Sequence, residues 1–391
     1  MSKIDELIAE LCPDGVEYKE LGGVVKILNG FAFKSSKYID NGIRIIRISD
    51  VQKGKMSDSN LKFYPLESES EIKRFLLKDG DLVMSLTGNT GRVAMLSTSD
   101  LPAGLNQRVA CLRPTGQILT RYLFHFLDRD EFENDAMANS KGGGQKNMST
   151  KWLSQYKIPV PPIEVQRAIV GVLDSFTELE AELEAELEAR KKQYEFYRNQ
   201  LLTFDEGGVR WTTLGKVLDY EQPGKYIVKS TDYNKSHNTP VLTAGQSFIL
   251  GYTNETDGIY SASKDKPVII FDDFTTSNHW VDFDFKVKSS AMKMLRLKKD
   301  ASVNFRYVYH FIKTILYNPQ DHARQWISNY AQFEIPVPPI EEQNRIVSIL
   351  DKFEKLTSDI SEGLPAEINA RRKQYEYYRN KLLTFPELAH A

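Results

Sequence analysis

Apolar residues fall at Ile169, Leu173, Phe176, Leu179, Leu183, Leu187, Tyr194, Tyr197, Leu201 and Phe204, in steps of three, four and seven. That spacing draws a single stripe along a helix. A second stripe repeats the steps with one extra step of four: Ile346, Leu350, Phe353, Leu356, Ile360, Leu364, Ile368, Tyr375, Tyr378, Leu382 and Phe385. Each covers roughly 40 residues, hence about 60 Å of helix, too long for a small single domain. The economical solution is that the two stripes face each other as an antiparallel pair separating the rest of the chain into two domains. Gly363-Leu364-Pro365 should kink or break the second helix.

The intervening segments carry a mixed pattern. In the first, 43–51, 81–86, 92–96 and 108–113 read as strands joined by Gly/Asn/Ser/Thr turns, with a helix over 120–137. In the second, 248–253, 267–274 and 286–297 read as strands, followed by a helix over 303–316. The fold class expected is α+β: two mixed α/β domains in a pseudo-twofold arrangement, separated by two long antiparallel coiled-coil-like helices.

The pseudo-twofold rests on internal repetition. IPVPPIE stands at 158–164 and again at 335–341, and ARKKQYEFYRNQLLTF at 189–204 returns as ARRKQYEYYRNKLLTF at 370–385. The offset drifts from 177 to 181 because one tetrad has entered the second helix. Gly15 to Gly22 is echoed by Gly208 to Gly215, and Arg121-Tyr122-Leu123-Phe124-His125-Phe126 by Arg306-Tyr307-Val308-Tyr309-His310-Phe311. Ile4, Ile8 and Leu11 match Tyr197, Leu201 and Phe204 at an offset of 193, so the N-terminus reads as the last turns of a repeated helix, or else as an unrelated short one. The organisation is therefore an N-terminal helix 1–15 completing the helical frame, a domain at 16–157, a central helix 158–208, a second domain at 209–334 and a C-terminal helix 335–391.

Composition changes little until it is partitioned. No window nears the ~18 uninterrupted apolar residues of a membrane span, and MSKIDELIAE lacks the apolar core of a signal peptide. Cys12 and Cys111 stand far apart without metal or disulfide spacing, so a reducing cytoplasm is the expected location. The net charge of −2 over 391 residues hides a division of −3 over 1–15, +5 over 16–157, −6 over 158–208, +3 over 209–334 and −1 over 335–391. Both inserted domains are basic and the acidity sits in the helices, with six glutamates between 178 and 188. Such a run is ordinarily a solvated helix face, and the basic excess permits a nucleic-acid role without proving it.

Catalytic signatures are missing. Gly142-Gly143-Gly144 follows no evident strand, and Asn318-Pro319-Gln320 lacks the second proline and aromatic of an amino-methylating motif. No GxxxxGK[S/T] phosphate loop occurs. The six histidines do not cluster with Asp, Glu or Cys at metal-ligand spacing, and His125 and His310 read as packed core residues. The chain reads as non-catalytic, with no cofactor or metal of its own.

The paired IPVPPIE starts, the helix ends KKQYEFYRNQLLTF and RKQYEYYRNKLLTF, GDLVMSLTGNTGRVAML at 80–96, LNQRVACLRP at 105–114, TPVLTAGQSFILGYTNE at 239–255 and VIIFDDFTTSNHWVDFDFKVKSSAMKM at 268–294 resemble the specificity subunit of a type I restriction-modification system. The resemblance covers essentially the whole chain. It implies that each inserted region is a target recognition domain reading one half of a split double-stranded DNA site. The helices would set the spacing and hold two modification subunits that methylate adenine, with the methyl donor and ATP on partner subunits, and restriction subunits joining to cut. A tetrad adds ~6 Å against ~3.4 Å per base pair along one strand, so one repeat unit would shift the preferred spacer by about a base pair or two.

Base reading needs phosphate contacts that position and side-chain forks that reach base edges. Thr87, Asn89 and Arg92 belong to a post-strand turn; Asn106, Gln107 and Arg108 supply amide and guanidinium forks; Lys141, Gln145 and Lys146 flank a glycine-rich basic loop. In the second domain Thr243, Gln246 and Ser247, then Thr275, Thr276, Asn278 and Trp280, then Arg324 and Gln325, take the corresponding parts. Each stretch alone reads more readily as an ordinary polar loop; their recurrence in both halves favours the DNA role. The four helix tyrosines Tyr194, Tyr197, Tyr375 and Tyr378 are assigned to helix pairing. Arg190-Lys191-Lys192 and Arg371-Arg372-Lys373 are readable as partner or DNA contacts and as solvated surface. The rival functions are a stand-alone DNA methyltransferase or nuclease, disfavoured by the missing motifs, and a coiled-coil adaptor that binds only proteins.

Overall fold

The computed structural model describes residues 3–142, 146–205, 207–243, 248–317, 319, 324–359 and 361–388. The chain divides into two compact units, Met1–Glu184 with Ile368–Ala391, and Ala185–Glu367. Each unit takes one inserted segment together with parts of both constant helical regions. Among the described residues no helix is long and apolar enough to cross a membrane.

In the first unit a four-stranded antiparallel sheet runs, in order, Val25–Asn29, Val109–Pro114, Leu82–Ser85 and Val93–Met95. All four residues of Leu82–Ser85 are buried, as expected of a short apolar run covered on both faces. A three-stranded sheet places Ile43–Ile46 between Phe63–Tyr64, antiparallel to it, and Ala103–Leu105, parallel to it. The strand expected over 43–51 stops at Ile46. The cause is local: the Asp50 carboxylate accepts from Arg47 N at 2.9 Å and Asp50 N donates to Arg47 O at 3.0 Å, closing a turn. The helix expected over 120–137 is two helices, Thr120–Leu127 and Asp130–Ala138. Arg129 between them is extended and caps the first with its own side chain, Nε donating to Phe126 O at 3.1 Å.

The second unit repeats this internal plan. Its four-stranded sheet runs Leu218–Glu221, Met292–Leu297, Val268–Asp272 and Asn278–Val281. Its three-stranded sheet places Thr239–Leu242 between Ile249–Thr253, antiparallel, and Lys286–Val287, parallel. The single strand expected over 286–297 is therefore split between two sheets. Lys286 is the reason at one end: its buried ammonium donates to Asp257 O at 2.5 Å and Gly258 O at 3.2 Å, which fixes the first piece in the smaller sheet. Each unit also closes its insert with a short antiparallel ribbon, Tyr18–Glu20 against Lys157–Pro159 and Arg210–Thr213 against Glu334–Val337. The second strand of each ribbon opens one of the repeated IPVPP segments, so the duplicated sequence marks where insert meets frame.

The frame forms as its stripes require. Ile163–Leu201 is one helix of 39 residues. The second stripe is broken into Ile340–Ser358 and Leu364–Leu382. Asp359 ends the first piece in an extended conformation, and its Oδ1 accepts from Ser361 N at 2.7 Å and Glu362 N at 3.2 Å. Pro365 falls in the first turn of the next piece, where a missing N–H costs nothing.

Inside the first unit the two constant helices run antiparallel. Phe176 stacks on Tyr378 at 5.5 Å, while further along Glu180 and Glu184 both pair with Arg372. Inside the second, Phe353 stacks on Tyr197 at 5.6 Å. Ile169 and Leu173 join Tyr122, Leu123, Leu21 and Ile158 in the largest core of the first unit. Ile346 and Leu350 do the same with Tyr307, Val308, Leu214 and Ile335 in the second. Each apolar stripe is thus satisfied by the insert it carries as well as by the other helix.

Candidate nucleic-acid interface

In the first unit three stretches far apart in sequence meet at the end of one hairpin. The hairpin Leu82–Ser85/Val93–Met95 turns through residues 86–92, where Gly88 and Gly91 hold positive φ of 77° and 90°. A Cβ on Gly91 would lie 2.7 Å from Ala136 Cβ, so the turn also needs glycine for close approach to a helix. Gly88 N donates to Lys146 O at 2.9 Å, Met148 N to Leu86 O at 2.8 Å, and Thr87 Oγ1 to Asn147 Oδ1 at 2.7 Å. These bonds tie the turn to the basic loop. Leu86 N donates to Arg108 O at 2.9 Å, which brings in the third stretch.

Burial sorts the candidates within this cluster. Asn89, Gln107, Arg108, Lys141 and Lys146 are exposed. Thr87 and Asn106 are buried, and Asn106 Oδ1 is used internally, accepting from Arg108 N at 3.1 Å. Arg92 is half-buried and committed: Nε pairs with Glu133 at 3.1 Å and Nη1 donates to Gln52 at 3.2 Å. Expected to be brought to the duplex by the turn, it braces the hairpin to the helix through these two contacts. Gln145 lies outside the described residues. Sequence reasoning passed over Lys151, which lines a cleft of about 530 Å³ with Lys141, Asn139, Asn147 and Trp152. The signal for it was the continuation of basic residues past Asn147 into a helix capped by Ser149.

The second unit builds the same junction with different atoms. The hairpin Val268–Asp272/Asn278–Val281 turns through 273–277, and Asp272 Oδ1 accepts from Phe274 N at 2.8 Å and Thr275 N at 3.1 Å. Thr276 holds a positive φ of 62°, a costly conformation for a β-branched residue. Asp273 O accepts from Gln325 N at 2.8 Å, and Asp273 Oδ1 from Trp326 N at 2.9 Å. The turn is thereby fastened to the first two residues of the short helix Gln325–Ser328, whereas in the first unit it is fastened to the segment just before Thr150–Gln155. Asp273 is held in turn by the buried Lys293 at 3.0 Å, whose ammonium lies 4.6 Å from the Tyr220 ring.

Here Thr275 and Arg324 are exposed, and Thr243 and Asn278 are partly so. Thr243 N donates to Phe248 O at 2.9 Å, and the Phe248 ring stacks on His279 at 4.1 Å, so this strand end meets the hairpin too. Thr276 is buried. One assignment needs correction. Gln325 has no exposed surface, and its Oε1 accepts from Tyr317 and Asn329 at 2.8 Å each, so its side chain holds the junction rather than facing outward. Trp280 is partly buried and packs against the core through Phe305 and Tyr309, with the Arg306 guanidinium 4.7 Å from its ring. Gln246 and Ser247 lie outside the described residues.

The histidines stand elsewhere, at the base of each insert. His125 Nε2 lies 2.7 Å from Asp174 Oδ1 and Nδ1 lies 2.9 Å from the Tyr375 hydroxyl; His310 repeats this with Asp351 at 2.7 Å and Tyr194 at 3.4 Å. Both rings are fully buried, as the aromatic neighbourhood implied. The fold does gather His310, Asp351 and Glu354 within 4.8 Å, which sequence spacing did not suggest. Arg306 holds Asp351 at 2.7 Å and Lys313 holds Glu354 at 2.6 Å, so the carboxylates are already neutralised. The arrangement is an ion-pair network joining insert to helix.

Comparison with known proteins bears on the whole arrangement. A family model described as the type I restriction modification DNA specificity domain matches residues 13–189 and 208–370. The specificity subunit of EcoR124I/EcoR124II from Escherichia coli is 54% identical over 188 residues, 46% of this chain and 45% of that protein. The chain thus matches about half the length of that relative. A Haemophilus influenzae protein named as a type I restriction enzyme specificity subunit is 28% identical over 413 residues, 95% of this chain and 96% of that one. Among solved structures, the S subunit of the type I restriction-modification system of M. genitalium has a TM-score of 0.60 at 13% identity, covering 96% and 97% of the two chains.

Proposed function

The chain belongs to the type I restriction-modification DNA specificity family, and from that premise we propose that it is a non-catalytic subunit that reads a bipartite DNA site and directs partner enzymes to it. Residues 16–157 read one half-site and residues 209–334 the other. The observation that carries this reading is the duplicated junction: in both units the turn of the sheet hairpin is fastened at the start of a short helix, through the segment just before it in the first unit and through its first two residues in the second, leaving polar and basic side chains exposed around it. Asn89, Gln107, Arg108, Lys141 and Lys146 are the contacts in the first domain, and Thr243, Thr275, Asn278 and Arg324 in the second. Buried Thr87, Asn106, Thr276 and Gln325 hold those residues in place.

Two modification subunits supply adenine methylation and bind the methyl donor, and restriction subunits supply ATP-driven cleavage. The assembly works in the cytoplasm, where its DNA substrate is. Modified-base mapping of genomic DNA from cells with and without this gene, in a host with intact partner genes, tests the reading. The expected result is a split motif with one adenine marked on each strand that vanishes on deletion. An unchanged methylome would overturn it.

A further inference from the structure

The duplicated frame is not matched in its buried charge. In the first unit Arg379 Nη1 donates to Asp128 Oδ2 at 2.6 Å, and both side chains are buried. The repeated helix ends put Arg198 in the place of Arg379, at an offset of 181, and the repeated Arg-Tyr-x-x-His-Phe segments put Lys313 in the place of Asp128, at an offset of 185. A cation has replaced the carboxylate. Lys313 is taken by Glu354, and the half-buried Arg198 is left against the Tyr194 ring at 5.4 Å; the Nε atoms of Arg198 and Arg379 are both buried without an acceptor, so what Arg198 lacks by comparison is the carboxylate. No carboxylate pairs with Arg198 among the described residues.

Arg198 lines a cavity of about 320 Å³ in the second unit. Leu202, Phe204, Phe311 and the fully exposed Leu316 give it apolar walls and rim. Asn199, Thr203 and Thr314 line it too, and Trp211 brings its Nε1, a buried donor without an acceptor. Such a donor costs folding free energy until an acceptor completes it.

We propose that this cavity receives a carboxylate borne by a partner protein: an Asp or Glu side chain on an apolar segment, pairing with Arg198 and accepting from the Trp211 indole. The first unit supplies the precedent, since Asp128 makes that bond to Arg379 from an apolar helix. One guanidinium beside hydrocarbon walls and the neutral polar Asn199, Thr203 and Thr314 suits a singly charged group on an apolar stem. A strongly hydrated phosphate backbone calls for several cations and open solvent. The proposal stands on this cavity alone and does not depend on how the chain reads DNA.

The test uses the full chain and follows the Trp211 indole N–H resonance, assigned with Trp211→Phe. The probes are the peptide acetyl-Leu-Asp-Leu-Leu-amide, its Asn counterpart, inorganic phosphate and a short DNA duplex. Expected is a saturable shift with the Asp peptide and binding at least about tenfold weaker with the Asn peptide, the loss of one charge-assisted bond. Arg198→Gln should abolish the shift. Lys313→Asp, which restores a carboxylate within the chain, should also block it. Equal binding of the Asp and Asn peptides, no shift with either, or a shift as strong with phosphate or duplex would overturn the proposal. The peptide comparison decides the matter on the unmodified chain if Arg198→Gln fails to fold.

Discussion

His125 and His310 sit in identical settings, and the setting determines which protons they carry. Burial favours the neutral ring and pushes both below the ordinary histidine value of 6.5; the hydrogen bonds to Asp174 and Asp351 oppose this without reversing it. A neutral ring donates from Nε2 to the carboxylate and leaves Nδ1 to accept the tyrosine hydroxyl. Acid should therefore loosen the base of each insert. With the native pKa depressed, the unfolded chain binds the proton first, so stability is lost as pH falls through the ordinary value and levels off below the native one. Each histidine contributes at most about 1.4 kcal/mol per pH unit in that window. In urea unfolding, the stability difference between the chain and its His310→Asn variant should shrink between about pH 7.5 and about pH 5.5. A difference that stays constant over that range would mean that the native ring titrates as it does in the unfolded chain, and one that grows would mean that the native ring is held protonated. Burial also separates reading residues from holding ones. Arg108→Ala should leave unfolding within about 0.5 kcal/mol of the parent but weaken DNA binding by about 1–3 kcal/mol. Gln325→Ala should cost stability first, about 1–3 kcal/mol, because it opens a void at a fully buried position and removes the acceptor of the half-buried Tyr317 hydroxyl.

The break between Ile340–Ser358 and Leu364–Leu382 is a built element. Gly363 N donates to Asp359 O at 3.0 Å, and a Cβ at Gly363 would lie 2.5 Å from Lys355 O and 2.8 Å from Asp359 O. Both obstacles are backbone and cannot swing aside, so Gly363→Ala should destabilise the second unit by about 1–3 kcal/mol, read as a lower urea midpoint with an unchanged slope. Sequence analysis placed this break, since Gly363 and Pro365 interrupt an otherwise regular stripe. It also placed the frame, because a repeated IPVPPIE and a repeated helix end need no tertiary information. It missed strands such as Val25–Asn29 and Ala103–Leu105, which are short and show no alternation. The candidate site was legible as composition, in Lys141, Lys146, Gln107 and Arg108. Its assembly was not: the bonds from Gly88 to Lys146 and from Gln325 to Asp273 join segments about 50 residues apart, and no local pattern encodes them. For the same reason the pairing of Arg92 with Glu133 has no local signal in the sequence.

The net charge of −2 has no functional meaning for the molecule as a whole. The excess of +5 over 16–157 and +3 over 209–334 lies on the segments that carry the two junctions, while the helical frame carries the acid. Two modestly basic segments beside an acidic frame offer few phosphate contacts, so the free chain should show a far weaker DNA shift, with a shallower dependence on salt, than the proposed complex with modification subunits. The partition also makes recognition separable. Each unit has its own sheets and its own cores, and the inserts enter and leave the frame through the ribbons Tyr18–Glu20/Lys157–Pro159 and Arg210–Thr213/Glu334–Val337. Replacing residues 214–333 by the corresponding segment of another family member leaves both ribbons and the frame intact. Mapping methylated adenines in cells carrying that chimera should then reveal a motif with one half retained and the other exchanged. If both halves changed, or the retained half were lost while the chimera still assembled with its partners, recognition would be shared between the inserts and the assignment of one half-site to each would fail.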